Sequence, residues 1–332
     1  MSGSSPQSGA GARGSAAVSP TPQQVETARA LLASLGGLGA HVKGDDIAHL
    51  EVHGNEVVGA HLVPGLEVDV DQLDDGIKAY IHPKKGARIA KPIHLCFGML
   101  PEEGLQHIVM DVEVEEDSFA AVQAHCTFPN AVDITHKMDA VVRIAPGAAY
   151  EYFERHLHGR EGGVLVVPKT KVHVGEGARF KSEFELIKGQ AGVIDFDYDV
   201  DCDAYSLLDM IARIWGRGHD RITIRETARL NGEDARAVLQ SHIAVKDEAV
   251  ADVYNSLVAN AAGARGHVDC KEIVQDAAVA KAVPVVEVNH PRAHITHEAA
   301  IGSVDSKQLQ TLMARGLHEE KATDLIIEGL LG

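Results

Sequence analysis

From about residue 80 onward, apolar and polar residues alternate in short runs, and each run follows a turn rich in Gly, Asp, Glu or Lys. The stretch ARFKSEFELI at 178–187 shows the two-residue period of a strand with one buried face. KKGARIAKPI, EEDSFAAVQA, APGAAYEYFE, GEGARFKSEF, GEDARAVLQS, KDEAVADVYN, AGARGHVDCK and QDAAVAKAVP share one layout. The first residue after each turn is Ala87, Ser118, Ala148, Ala178, Ala235, Ala249, Ala264 and Ala278, giving steps of 31, 30, 30, 57, 14, 15 and 14 residues. Weaker turns near Leu105, Ala131, Gly163, Ala191, Ala204 and His219 fill the wider gaps. The unit is thus about 15 residues and a full circuit about 30. Even spacing without intervening helices predicts a mainly β fold, a parallel β-helix of stacked coils. A β-sandwich is the competing architecture, since it too spaces strands regularly. The run SLLDMIARIW at 206–215 is compatible with either helix or strand.

The two ends read differently. Residues 1–22 are mostly Ser, Gly, Ala and Pro, the composition of a disordered tail. A helical segment is expected within 23–50: Thr21 can cap it, Pro22 suits its first position, and Val25, Ala28, Leu31, Leu32 and Leu35 recur at helical spacing before Gly36-Gly37. The β-helix core is expected over 51–298 and a helical region over 299–332. In the latter, Asp305 is a candidate N-cap, Leu309, Leu312 and Met313 form one stripe, and Gly316 is a stop. A second stripe follows at Ala322, Leu325, Ile326 and Leu330. Two short amphipathic helices must dock on something: either the end of the β-helix, or a partner's groove that takes Leu309, Met313, Leu325 and Ile326.

Composition narrows the function. The chain has 332 residues, 45% of them hydrophobic but only 4% aromatic, so its core must be aliphatic. A formal charge of −17 argues against nucleic acid, whose phosphates it would repel. No run approaches the ~20 apolar residues of a membrane span and no signal peptide is visible, so a cytoplasmic location is expected. Cys96, Cys126, Cys202 and Cys270 are dispersed without a CxxC pair, as in a reducing compartment. Walker A, GxGxxG and GxSxG motifs are missing from the sequence, so any nucleotide hydrolysis belongs to a partner.

The densest chemistry lies near the end, where GHVDCKEIV is followed by VNHP and then HITHEAAIGSVD from His294. The segment VPVVEVNHPRAHITHEAAIGSVDSKQLQTLMARGLHEEKATDLIIEGLL resembles the C-terminal signature of the SufB/SufD family of iron–sulfur cluster assembly scaffolds. That signature runs from an acid-bearing strand through a HEA-type segment to an acidic helix cap followed by QL, then RG and a second apolar helix. The resemblance is dense over roughly 50 residues and looser back to about residue 50. It implies a right-handed parallel β-helix flanked by helices, dimerisation through the β-helix, and docking of a SufC-like ABC-type ATPase on the C-terminal helices. The dimer mate would be the chain itself or a SufD-like paralogue, and recipient apoproteins would take the cluster. The chain is shorter than typical SufB members and has no N-terminal cysteine-rich insertion. It keeps a Glu after the His, at Glu298, which tilts the resemblance toward SufB.

On that resemblance the metal ligands are Cys270, Glu298 and His297, with His294 beside them on the face of Glu298. An ungapped count back from Pro284 lands on Asp269 rather than Cys270, and one residue of strand register reverses the face. A scaffold must hold a cluster, [4Fe–4S] in the expected case, and then release it. One thiolate helped by a hard carboxylate or an imidazole binds iron less tightly than four thiolates. Cys96, Cys126 and Cys202 read as buried structural residues, and His156 and His158 in RHLHG share a face that reads as a solvated strand, with metal binding as the alternative. Strand edges around VPVVEV at 283–288 are the expected two-fold interface. The alternatives are a cluster-free adaptor of the ATPase and a β-helix enzyme acting on carbohydrate.

Overall fold

The computed structural model describes residues 21–36 and 44–331. The described chain opens with helix α1 (Pro22–Ser34) and strands β1 (His49–His53), β2 (Glu56–His61), β3 (Leu66–Gln72), β4 (Ile77–Pro83) and β5 (Ile93–Gly98). It continues through β6 (Glu103–Val114), β7 (Phe119–Phe128), β8 (Asp133–Ile144), β9 (Ala149–His158), β10 (Val164–Val174), β11 (Arg179–Lys188) and β12 (Val193–Cys202). Next come β13 (Leu207–Gly216), β14 (Arg221–Leu230), β15 (Arg236–Val245), β16 (Val250–Ala259), β17 (Arg265–Val274), β18 (Val279–Val288) and β19 (His294–Gly302). Helices α2 (Ser306–Met313) and α3 (Glu319–Leu331) close it. No helix among the described residues is long and apolar enough to cross a membrane.

The strands form a parallel β-solenoid of about eight turns. Odd strands from β5 to β19 stack in one sheet and even strands from β4 to β18 in the other, so each coil gives one strand to each. In the odd sheet Ala149 pairs with Arg179, then Leu207, Arg236, Arg265 and His294 follow in register. Those steps of 28 to 30 residues are the circuit seen in the sequence. Alternate residues face inward and fuse into one core running the length of the solenoid.

The corners explain why small residues mark the repeat. At one corner a residue in the left-handed region precedes a buried small one: Asp117 before Ser118, Gly147 before Ala148, Gly177 before Ala178, Tyr205 before Ser206, Asp234 before Ala235 and Gly263 before Ala264. Glycine takes that conformation at no steric cost, and Asp is among the few other residues that tolerate it. The small residue is tucked where successive coils touch, with no room for a longer side chain. The corner expected near Ala204 is in fact Ser206, fully buried. The ambiguous run at 206–215 is strand β13. It resembled a helix because both of its faces are apolar: Leu208, Met210, Ala212 and Ile214 point inward, while Trp215 is covered from outside by α3.

Both ends depart from the simple coil. Helix α1 starts as expected, with Thr21 and Gln24 exchanging capping hydrogen bonds. Its Leu31, Leu32 and Leu35 pack on Cys96 of β5. The helical segment expected over 23–50 is shorter than that: α1 ends at Ser34 and β1 begins at His49. The first strands join the parallel ladders, β1 to β5 and β4 to β6, but β1 also pairs with β2, and β3 with β4, as antiparallel hairpins that close the N-terminal end. At the other end the core does not stop at residue 298. Strand β19 runs on to Gly302, because its backbone continues the ladder with β17 as far as Ile273. The tail expected at 1–22 lies, up to residue 20, outside the described residues.

Candidate functional site

Cys270 sits in β17, one coil from the C-terminal end, with its side chain turned into the solenoid and fully buried. Its register neighbours are Ser241 in β15 and Ala299 in β19. Across the core, the Asn255 amide donates to Glu226 Oε2 at 3.1 Å. The other end of that amide lies 3.3 Å from Ser241 Oγ and 3.6 Å from Cys270 Sγ. Burial, and to a lesser degree the Glu272 carboxylate, push the Cys270 thiol upward. Glu272 shares the inward face two residues on. Both its oxygens lack a hydrogen-bond partner among the described residues, and burial raises it from 4.5 to about 7. Burial alone raises Glu226 to about 8.

The other expected ligands divide between two faces. In the β17–β19 ladder Val268 pairs with His297, Asp269 with Glu298 and Cys270 with Ala299. Parallel partners share a face, so His297 lies on the side of Cys270 and Glu272. Glu298 and His294 lie on the opposite side, in register with Asp269 and Arg265. A single chain therefore turns Cys270 and Glu298 to opposite faces of the strand ladder. The ungapped count to Asp269 marks the face of Glu298, not that of the thiol. Asp269 is engaged there, bonded to Lys271 at 2.7 Å and 3.6 Å from His242. His294, His297 and Glu298 are all exposed.

The last coil is open. Strands β18 and β19 each end their sheet. Val286, Val288 and Ile301 stand on the inward face, in register with Leu257, Ala259 and Glu272. Yet they are 38%, 48% and 50% exposed. Val279 and Val285 add apolar surface on the outer face. Beside this end, α3 docks on the outside of the odd sheet through Ile326, Ile327 and Leu331 against Trp215 and Ala244. Arg217 covers the Trp215 ring at 3.6 Å, and Lys246 reaches Asp324 at 3.3 Å. Among the four expected docking residues, Met313 and Leu325 are exposed, while Leu309 is partly packed on the same cluster. Ile326 is buried in it, so that stripe position caps the protein's own sheet and is not offered to a partner.

A second group of ligand-type side chains was missed in the sequence. His156 and His158, expected on a solvated face, are buried inside the solenoid with Cys126, His136 and Glu154. The readable signal was RHLHG itself, two histidines at the spacing that puts both on one face. What hid it is that the apolar residues on the other face of the strand, Phe153 and Leu157, read as the buried side. Cys96 and Cys202 are simple core thiols, each pushed up to about 12 by burial.

Comparison with known proteins bears on this arrangement. Residues 101–330 match the family model described as SUF system FeS cluster assembly, SufBD core domain. An iron–sulfur cluster assembly SufBD family protein of Methanocaldococcus jannaschii is 38% identical over 268 residues, covering 81% of this chain and 85% of that one. One from Pyrococcus horikoshii is 34% identical over 296 residues, covering 89% and 90%. The iron–sulfur cluster assembly protein SufB of Bacillus subtilis is similar over a shorter stretch, 33% over 72 residues, or 21% of this chain and 16% of that one.

Proposed function

Because the chain belongs to the SufBD family of iron–sulfur cluster assembly proteins, we propose that it is a scaffold subunit on which a cluster is built and from which it is passed to recipient apoproteins. The supporting observation is the unfinished C-terminal coil. Every other part of the solenoid core is closed, but here an apolar inward face is exposed within one strand of the Cys270 thiol. A second copy, or a SufD-like paralogue, pairing across β18 and β19 would cover that face and satisfy the free strand edges. The same contact places groups of the mate beside the inward set of Cys270, Glu272 and His297. One thiolate with carboxylate and imidazole ligands suits a cargo that must leave, since those oxygens and nitrogens hold cluster iron less firmly than sulfur. The cluster is cargo, of the [4Fe–4S] type or its precursor. Glu298 and His294, on the outer face of the same edge strand, stand where a mate or a recipient meets the rim.

The exposed Met313 and Leu325 on α2 and α3 support docking of a SufC-like ABC-type ATPase there. ATP hydrolysis belongs to that partner and the chain itself is not an enzyme, working in the cytoplasm. Anaerobic reconstitution of the full chain with ferrous iron and sulfide, read by visible absorption, tests the cluster. Cys270→Ser should lose most of the colour and Cys202→Ser should keep it. The reverse result would move the site away from the open end. Met313→Asp with Leu325→Asp should abolish capture of the ATPase without changing the colour, and undiminished capture would place docking elsewhere.

A further inference from the structure

The middle of the solenoid contains a group that the open end does not need. Cys126 of β7, His136 of β8, and Glu154 and His156 of β9 each offer one ligand atom, and these four atoms all lie within 4.8 Å of one another. All four residues are at most 1% exposed. They lie four odd strands from Cys270, since β9 is followed in its sheet by β11, β13, β15 and β17. Two strands come from one sheet and β8 from the other, so the group bridges the core.

The hydrogen bonds preset the protons. His158 Nδ1 donates to the Gln190 carbonyl at 3.0 Å, which leaves its Nε2 as an acceptor. His156 Nδ1 lies 3.1 Å from that Nε2 and must therefore be the donor. The remaining His156 nitrogen, Nε2, then carries a lone pair and faces Glu154 Oε1 at 2.6 Å. With no metal bound, one proton has to bridge that pair. The second carboxyl oxygen accepts from the Tyr152 hydroxyl at 2.9 Å, and the Cys126 thiol lies 3.9 Å from the first. His136 is the odd member: neither of its ring nitrogens has a hydrogen-bond partner among the described residues, although the residue is 1% exposed. A buried unpaired polar group costs about 1–3 kcal/mol, and here both nitrogens of one ring are left unpaired beside three other ligand-type groups. Its ring packs against Phe128 and His156, with centroids 5.0 and 5.6 Å away, which holds it toward the group.

We propose that Cys126, His136, Glu154 and His156 bind a single divalent transition-metal ion of tetrahedral preference, with zinc or ferrous iron as the natural occupants. The donor set of one sulfur, two imidazole nitrogens and one carboxylate oxygen is of the kind such ions select. Charge closes without remainder: a dication with one thiolate, one carboxylate and two neutral imidazoles is neutral overall, as a sealed interior requires. Binding releases two protons, one from the thiol and one from the Glu154–His156 pair. In a tetrahedron with bonds of roughly 2.0–2.3 Å the donor atoms stand about 3.3–3.8 Å apart, so the most widely spaced ligand atoms draw in by about 1 Å while the Glu154–His156 pair, at 2.6 Å, opens slightly. His158 orients His156 from behind, as outer partners of metal-bound imidazoles do. The ion would pin both sheets at β7, β8 and β9, a staple separate from any cluster held at the open end.

The test uses the full chain, unfolded and refolded with Co²⁺ after removal of other metals. The expected result is one cobalt per chain, with the visible bands of a tetrahedral ion and a near-ultraviolet thiolate-to-cobalt band. Cys126→Ala should remove the near-ultraviolet band. His136→Leu should weaken cobalt binding by about 100-fold or more, while metal-free stability holds or rises, since no hydrogen bond is lost. Cys270→Ser should leave both band sets intact. If Cys126→Ala fails to fold, His136→Leu decides. Substoichiometric cobalt, unchanged binding in His136→Leu, or loss of the bands in Cys270→Ser would each overturn the assignment.

Discussion

The closed middle of the solenoid, β7 to β12, and the open last coil, β17 to β19, are built from the same repeat with opposite results. In the middle, inward residues meet a coil above and a coil below, and even Cys126, His136, Glu154 and His156 are sealed from water. In the last coil, inward residues such as Val286, Val288 and Ile301 have a neighbour on one side only. A side chain's availability thus depends on how many coils flank it, more than on its own type. Thiols occupy both settings, Cys126 sealed in the middle and Cys270 one strand from the exposed end. On the scaffold role proposed above, that contrast makes the last coil the place for cargo that comes and goes.

The sharpest way to break the comparison is to place a charge in each region. Val200→Asp, at a fully buried position of β12, should cost about 4 kcal/mol or more in urea unfolding. Val285→Asp, 48% exposed on β18, should change the stability of the isolated chain by less than about 0.5 kcal/mol yet abolish self-association in sedimentation. An unchanged oligomer would show that the open coil is not the contact. Cavity formation gives the next largest difference. Phe184→Ala removes a ring 4.9 Å from His156 and 5.4 Å from Phe196, a loss of about 3–5 kcal/mol. Ile301→Ala, half exposed, should lose under about 1 kcal/mol by the same assay.

A smaller effect depends on pH. Glu226 is raised from 4.5 to about 8 in the folded chain, so the native state keeps a proton that the unfolded chain releases. Its contribution is fully present below pH ~4.5 and is lost as pH rises toward 8, by at most ~1.4 kcal/mol per pH unit. Glu226→Gln should therefore stabilise the protein at pH 8 and differ little near pH 4.5, as read from urea midpoints. Glu272, raised only to about 7, should show the same sign over a narrower window. Equal pH profiles for Glu226→Gln and wild type would mean that the core at β14 is wetter than its packing implies. Smallest of all is Asp276→Gly at a left-handed corner, φ 59°, expected to stabilise by up to about 1 kcal/mol in thermal unfolding.

Local patterns carried the sequence reading a long way. The corner residues Ala148, Ala178, Ala235 and Ala264 were visible as a repeat because a corner restricts both size and backbone conformation at one position, and that restriction recurs at every coil. Helix α1 was visible from Thr21, Pro22 and the spacing of Val25, Ala28, Leu31 and Leu32 for an equally local reason. Ile326 was different: its place on an apolar stripe was legible, but not that Trp215 and Ala244 of distant strands would occupy it.

By itself, then, the sequence determined the coil length, the corners, the helical ends and the family. Tertiary structure alone decided which polar side chains face inward, and β9 shows why. Its residues alternate Phe153 and Leu157 with Glu154, His156 and His158, so polarity by itself turns the histidines outward. The corner at Ala148 and the inward rings of Tyr150 and Tyr152 set the opposite parity. Leu157 finds cover outside, against the α1 cluster, and the polar residues go in. A strand has one bit of freedom, which face is buried, and that bit is settled by coils and helices far away in the chain.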